Sequence, residues 1–220
     1  MGRGTAVAVG ERRWSWRDTR RVLGAGGALV AGGLVARTGV PEAEQAVFEA
    51  VNGLPGALYP AVWLPMQLGS LPGGLVLAGA LGVDARRRTV LAVAAGAVVT
   101  TWVVAKEVKE VVQRSRPLEA GMDVVVHDGS TGLGYASGHA AVAFAIYTVA
   151  APHLGPRWRP VALGLAGFVA LARVYSGAHL PLDVVGGAGL GVLVGEGFRS
   201  IESLIARRRW GQRLWGARRS

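Results

Sequence analysis

Cysteine is absent from all 220 residues, which excludes disulfides, a thiolate zinc site and a thiol nucleophile in any compartment. Any nucleophile must come from Ser, His, Asp, Glu, Lys or Tyr. Charge is also scarce, at 17% of residues where about 25% is usual for a soluble domain. Acidic groups are the scarcer sign, 14 against 24 Lys and Arg. There is no internal repeat and no low-complexity tail. The Gly-rich stretch is no dinucleotide fingerprint: Gly189-Leu190-Gly191 is followed by Val194 where that pattern needs its third Gly, and no strand precedes it.

What the chain does have is apolar residues, at 51%, and 34 glycines. That balance makes a bilayer the leading solvent. A net charge of +10 would fit nucleic acid as well as a membrane topology signal, so the positions of the basic residues decide. Apolar runs extend over Val22–Val40, Ala61–Val83, Thr89–Val112, Ala140–Leu154, Pro160–Tyr175 and Leu182–Phe198. Several are short against the roughly 20 residues that a helix needs to cross a hydrocarbon core. Arg3, Arg12, Arg13, Arg17, Arg20 and Arg21 precede the first run. Arg86–Arg88 follow the second, Arg157 and Arg159 the fourth, and Arg199, Arg207–Arg209, Arg213, Arg218 and Arg219 the sixth. All fall on one side of an alternating path, as the positive-inside rule demands of six spans with cytoplasmic termini.

The expected architecture is therefore an all-α, six-span transmembrane bundle in the cell membrane. A basic cytoplasmic N-terminus (1–21), a membrane domain (22–199) and a basic cytoplasmic tail (200–220) make up the chain, and its partners are membrane lipids rather than nucleic acid. The first run lacks Ala-x-Ala spacing near Val35–Val40 and is expected to be retained. Within the second run, Pro65, Gln67, Ser70 and Pro72 offer an alternative: a re-entrant or surface helix followed by a shorter span. The glycines of the sixth run, including Gly186, Gly187, Gly189, Gly191 and Gly195, suit close helix packing.

Three clusters share the side opposite the arginines. Lys109 and Arg116, seven residues apart at the end of the third run, would lie on one helical face before Pro117; a pair of snorkelling interfacial cations is the plainer reading. Ser137-Gly138-His139 precedes the fourth run, with Ser137 as a helix N-cap and the free amides as an anion site; taken alone, an ordinary structural cap is the plainer reading. Arg173, His179, Pro181 and Asp183 join the last two runs, Asp183 within reach to orient His179, or simply to satisfy it. Taken together, three cations, a helix start, two His and an Asp on one face are the parts of phosphoryl transfer. Asp123, Asp128 and Asp183 are the only Asp residues on that side, which offers Mg²⁺ no carboxylate cluster. Lys106 and His127 have no assigned role, and His153 reads as structural.

These clusters resemble the signature of the type 2 phosphatidic acid phosphatase superfamily, Lys-x6-Arg-Pro, Pro-Ser-Gly-His and Ser-Arg-x5-His-x3-Asp. Lys109, Arg116 and Pro117 match the first; Ser137, Gly138 and His139 the second; Arg173, His179 and Asp183 the third. Ala136 and Ala172 replace the family's Pro and Ser. The resemblance implies His179 as nucleophile through a phosphohistidine, His139 as general acid and base, and Asp183 orienting His179. It makes Lys109, Arg116, Arg173 and the Ser137 and Gly138 amides the phosphate cradle, and it implies neither metal nor cofactor. The implied substrate is a lipid phosphate or diphosphate, attacked from the extracytoplasmic side. Transfer to another lipid is the nearest alternative. Soluble vanadium haloperoxidases share the constellation, and a six-span transporter or scaffold with a relic site is the non-enzymatic alternative.

Overall fold

The computed structural model describes residues 14–82 and 88–216. The basic residues at 3, 12, 13, 86, 87, 218 and 219, and Val83 at the end of the second run, lie outside the described residues. Among those described, all regular structure is helical: α1 (Trp16–Ala36), α2 (Glu42–Asn52), α3 (Tyr59–Met66), α4 (Leu71–Leu81), α5 (Arg88–Val112), α6 (Gly138–Ala150), α7 (Trp158–Tyr175) and α8 (Pro181–Gly216). Short 3₁₀ turns precede α3 and link α3 to α4.

Helix α1 starts where Ser15 and Asp18 exchange capping bonds, each side chain receiving the other's backbone N–H. The second apolar run is broken, as its prolines and polar residues allow: α3 ends in the 67–69 turn, Ser70 caps α4 through the Gly73 N–H, and the halves bend by 67°. Helix α2 was not expected from the apolar runs. It is short and acidic at its start, and it buries Glu44, Phe48 and Asn52 on one face.

Among the described residues two helices, α5 and the 181–208 part of α8, are long and apolar enough to cross a membrane, or three units if the bent α3–α4 pair counts as one. The 25 residues of α5 reach about 37 Å at 1.5 Å per residue. Helix α6 has only 13 residues and is the most enclosed, with nine of them buried. It packs mainly on α8, and α8 in turn on α1. The α6–α8 contact is backbone to backbone: a Cβ on Gly187 would stand 2.4 Å from the Ser137 carbonyl oxygen, and one on Gly191 2.2 Å from that of Ala141. Only glycine fits at such separations. Tyr135 wedges between α1 and α8, its ring against Gly32, Gly33 and Gly186 and its hydroxyl donating to the Leu29 carbonyl.

Candidate active site

Pro181, which has no N–H to lose, opens α8 and places Asp183 in its first turn. The Asp183 Oδ2 accepts the Leu180 N–H at 2.9 Å and faces His179 Nδ1 at 3.3 Å. Its Oδ1 accepts from Arg114 Nη1 at 2.9 Å. Both partners are buried, His179 at 2% exposure and Asp183 at 0%. A carboxylate on Nδ1 leaves Nε2 as the free nitrogen. Burial first, then the charges of Lys109, Arg173 and Arg116, hold the His179 imidazole well below its ordinary pKa. The ring is thus neutral at pH 7, the form that can attack an electrophile.

The two cations of the first cluster do not share a helical face. Helix α5 stops at Val112 because Gln113 turns to φ 56° and folds its amide back onto the Glu110 carbonyl at 2.8 Å. Arg116 therefore reaches the site from a non-helical segment, four residues past the helix, and Pro117 is not the terminator. Lys109 still stands in the last turn and donates to the carbonyls of Leu133 (2.6 Å) and Gly134 (2.8 Å). Arg116 donates to Thr131, Gly132 and Ala178 carbonyls at 3.1, 2.9 and 2.6 Å. Together these bonds fold the 131–134 segment over the site. Arg173, 3% exposed at the end of α7, donates to Asp128 and to Ser130 Oγ at 2.7 Å.

Ser137 occupies the N-cap position of α6, yet its side chain makes no capping bond. Its N–H donates to the Asp183 backbone oxygen at 2.9 Å, tying the starts of α6 and α8 together, and its buried Oγ has no hydrogen-bond partner. No side chain closes this helix end, so the amides of the first turn face outward beside the cations. His139, in that first turn and half-buried, is an electrostatic neighbour of both His179 and Asp128. The structure thus brings Lys109, Arg116, Ser137, Gly138, His139, Arg173, His179 and Asp183 to one place.

Four further residues belong to this site and went unread in the sequence. Arg114 joins Asp183 to Glu44 of α2, with Nη1–Oε1 at 3.0 Å and Nη2–Oε2 at 2.5 Å. Glu44 Oε1 also accepts the Leu182 N–H at 2.7 Å. Asp128 and Ser130 engage Arg173; burial would raise the Asp128 pKa, but the adjacent guanidinium holds it below the ordinary value. The only signal for these was a surplus basic residue, Arg114, beside a span; Glu44 lies 70 residues away from it. His127 is stacked between Tyr59 and Tyr175, with centroids at 5.2 and 4.9 Å. His153 pairs with Glu202 at 3.1 Å, and Lys106 sits 3.4 Å above the Trp102 ring.

The PAP2 superfamily model matches residues 87–203. A decaprenylphosphoryl-5-phosphoribose phosphatase of Mycolicibacterium smegmatis is 37% identical over 155 residues, which cover 67% of this chain and 82% of that protein. Among solved structures, a phosphatidylglycerolphosphate phosphatase of Bacillus subtilis aligns with TM-score 0.64 at 22% identity, over 83% of this chain and 97% of its own. Aquifex aeolicus LpxE aligns with TM-score 0.61 at 23% identity, over 70% and 93%. At such identities the two structures speak for the fold. The family match spans more than half of the chain, and with the relative at 37% identity it shows that this chain belongs to the PAP2 superfamily.

Proposed function

We propose that this chain is a six-span membrane phosphatase that hydrolyses a lipid-linked phosphate on the extracytoplasmic side through a phosphohistidine on His179. The observation that carries this reading is the buried, neutral His179 held by Asp183 and faced by Lys109, Arg116, Arg173 and the uncapped start of α6. In the reaction, His179 Nε2 forms a bond to phosphorus as the bond to the leaving oxygen breaks. The cations and amides take the charge spread over the equatorial oxygens. His139 gives its proton to the leaving oxygen, then takes one from the water that cleaves the N–P bond and frees His179.

No group of three or more His, Cys, Asp or Glu converges among the described residues, and the cations present can do the charge stabilisation, so we assign no metal. The arginine clusters at the ends of the runs support six spans, cytoplasmic termini and cell-membrane residence. The identity to a phosphatase of a decaprenyl-linked phosphoribose favours a polyprenyl-linked phosphomonoester over a glycerolipid as substrate. Purified protein, with EDTA present, is offered phosphatidic acid, phosphatidylglycerol phosphate, polyprenyl phosphate, polyprenyl diphosphate and a polyprenyl-linked sugar phosphate. Phosphate release, with the last preferred, is the expected result. Release abolished by EDTA, or transfer of phosphate to added lipid instead of water, would overturn the mechanism.

A further inference from the structure

The nucleophile is backed by a chain of buried charges that continues beyond Asp183. Arg114 is 5% exposed and donates from a single nitrogen, Nη1, to Asp183 on one side and to Glu44 on the other. Glu44, 7% exposed, closes a two-pronged ion pair on the same guanidinium and also holds the Leu182 N–H next to Asp183. Glu44 lies in α2, outside the residues 87–203 matched by the family model.

The sum of charges gives the second carboxylate a purpose. When Nε2 bonds to phosphorus while Nδ1 keeps its proton, the imidazole ring becomes positive, and Asp183 is the anion beside it. Arg114 alone, 2.9 Å from Asp183, would cancel that anion. With Glu44 neutralising Arg114, the trio retains one net negative charge for the ring, in a buried setting where charge is poorly screened.

We propose that Arg114 and Glu44 are positioning residues for the nucleophile: Arg114 fixes Asp183 against His179 Nδ1, and Glu44 offsets Arg114 so that the Asp183 charge remains available to the phosphorylated ring. This rests on the reading of His179 as nucleophile. Glu44 thereby makes α2, a helix outside the signature, part of the working site.

The test is a double-mutant cycle on the full chain in detergent, reading single-turnover formation of phospho-His179 from ³²P-labelled polyprenyl phosphate. Glu44→Gln keeps the shape and removes the charge. In the wild-type background it should slow phosphorylation about tenfold, since a pKa-sized change of one unit is a tenfold effect, with KM little altered. In an Asp183→Asn background, where the charge it protects is gone, it should change the rate less than about twofold. Equal losses in both backgrounds, or a loss confined to KM, would make Glu44 a merely structural residue and overturn the proposal. If Glu44→Gln lowers the melting temperature, Arg114→Lys takes its place in the cycle, retaining the cation but not the fork. An unlabelled wild-type His179 would instead bring down the reading of the site, and this inference with it.

Discussion

Replacing Gly191 by Ala tests whether the α6–α8 contact sets the catalytic geometry. The new Cβ would stand 2.2 Å from the Ala141 carbonyl oxygen and 2.9 Å from the Ala145 nitrogen, where ordinary contact begins at 3.4 Å. Both obstacles are backbone, so no side-chain rotation relieves them, and α8 must move away from α6 by about 1 Å. Overpacking of this kind costs about 1–3 kcal/mol, more than the roughly 1 kcal/mol that Ala gains over Gly in a helix. The larger effect falls on activity. Helix α8 carries Asp183 and the adjoining His179, α6 carries His139, and their starts are joined by the 2.9 Å bond from the Ser137 N–H to the Asp183 carbonyl. A displacement of that size lowers rates by about 10²-fold in preorganised sites. Gly164→Ala on α7, where nothing lies within 4 Å of the added Cβ, is the matched control. Thermal melting in detergent and phosphate release per enzyme report the two quantities. If Gly191→Ala melts and turns over like Gly164→Ala, helix contact is not what holds the two histidines in register.

The roles of the histidines separate by leaving group. His179→Ala should form no phosphoenzyme, whereas His139→Ala should slow expulsion of a lipid alkoxide by about 10²- to 10⁴-fold and that of p-nitrophenolate far less, both read by briefly quenched ³²P labelling. Equal losses for the two esters would refute the assignment. Tyr135→Phe removes the hydroxyl that donates to the Leu29 carbonyl and should cost about 0.5–1.5 kcal/mol of stability, visible as a lowered melting temperature. For topology, a cysteine at Ser130 should react with an impermeant thiol reagent in intact cells and one at Ser200 should not; the reverse pattern would invert the chain in the membrane.

The family and the class of chemistry were legible because the three motifs are local. Each names a backbone device, such as the Pro181 start that aims Asp183, and local devices survive without knowledge of the packing. The break in the second run was open to the sequence only as the alternative to a continuous span, because Pro65, Ser70 and Pro72 each disturb the helix locally without saying whether neighbouring helices cover the break. The Lys109–Arg116 register was misread because spacing assumed a helix that Gln113 ends with one left-handed residue. Glu44 and Asp128 escaped because their partners are distant along the chain: Glu44 is 70 residues from Arg114 and Asp128 is 45 from Arg173. Nothing in the surroundings of either acid in the sequence marks it. The length of α6, only 13 residues, was likewise hidden within an apolar run that continues through a 3₁₀ turn.

Among the described residues Lys109 and Arg116 have hydrogen-bond acceptors but no carboxylate in an ion pair. Their hydrogen-bond partners among these residues are neutral carbonyl oxygens, those of residues 131–134 and 178, whereas Arg173 has a carboxylate and Arg114 has two. An incoming ligand does not fill an empty socket; it exchanges with the protein's own acceptors, and it wins only by what they lack. A hydroxyl or an amide brings another neutral oxygen and gains nothing in the exchange. A phosphodiester brings one negative charge, and a terminal phosphate brings nearly two at neutral pH. If Lys109 and Arg116 hold the phosphate as proposed, selection for the end of a phosphate chain over its middle follows from the resting state, before any contact with the rest of the lipid.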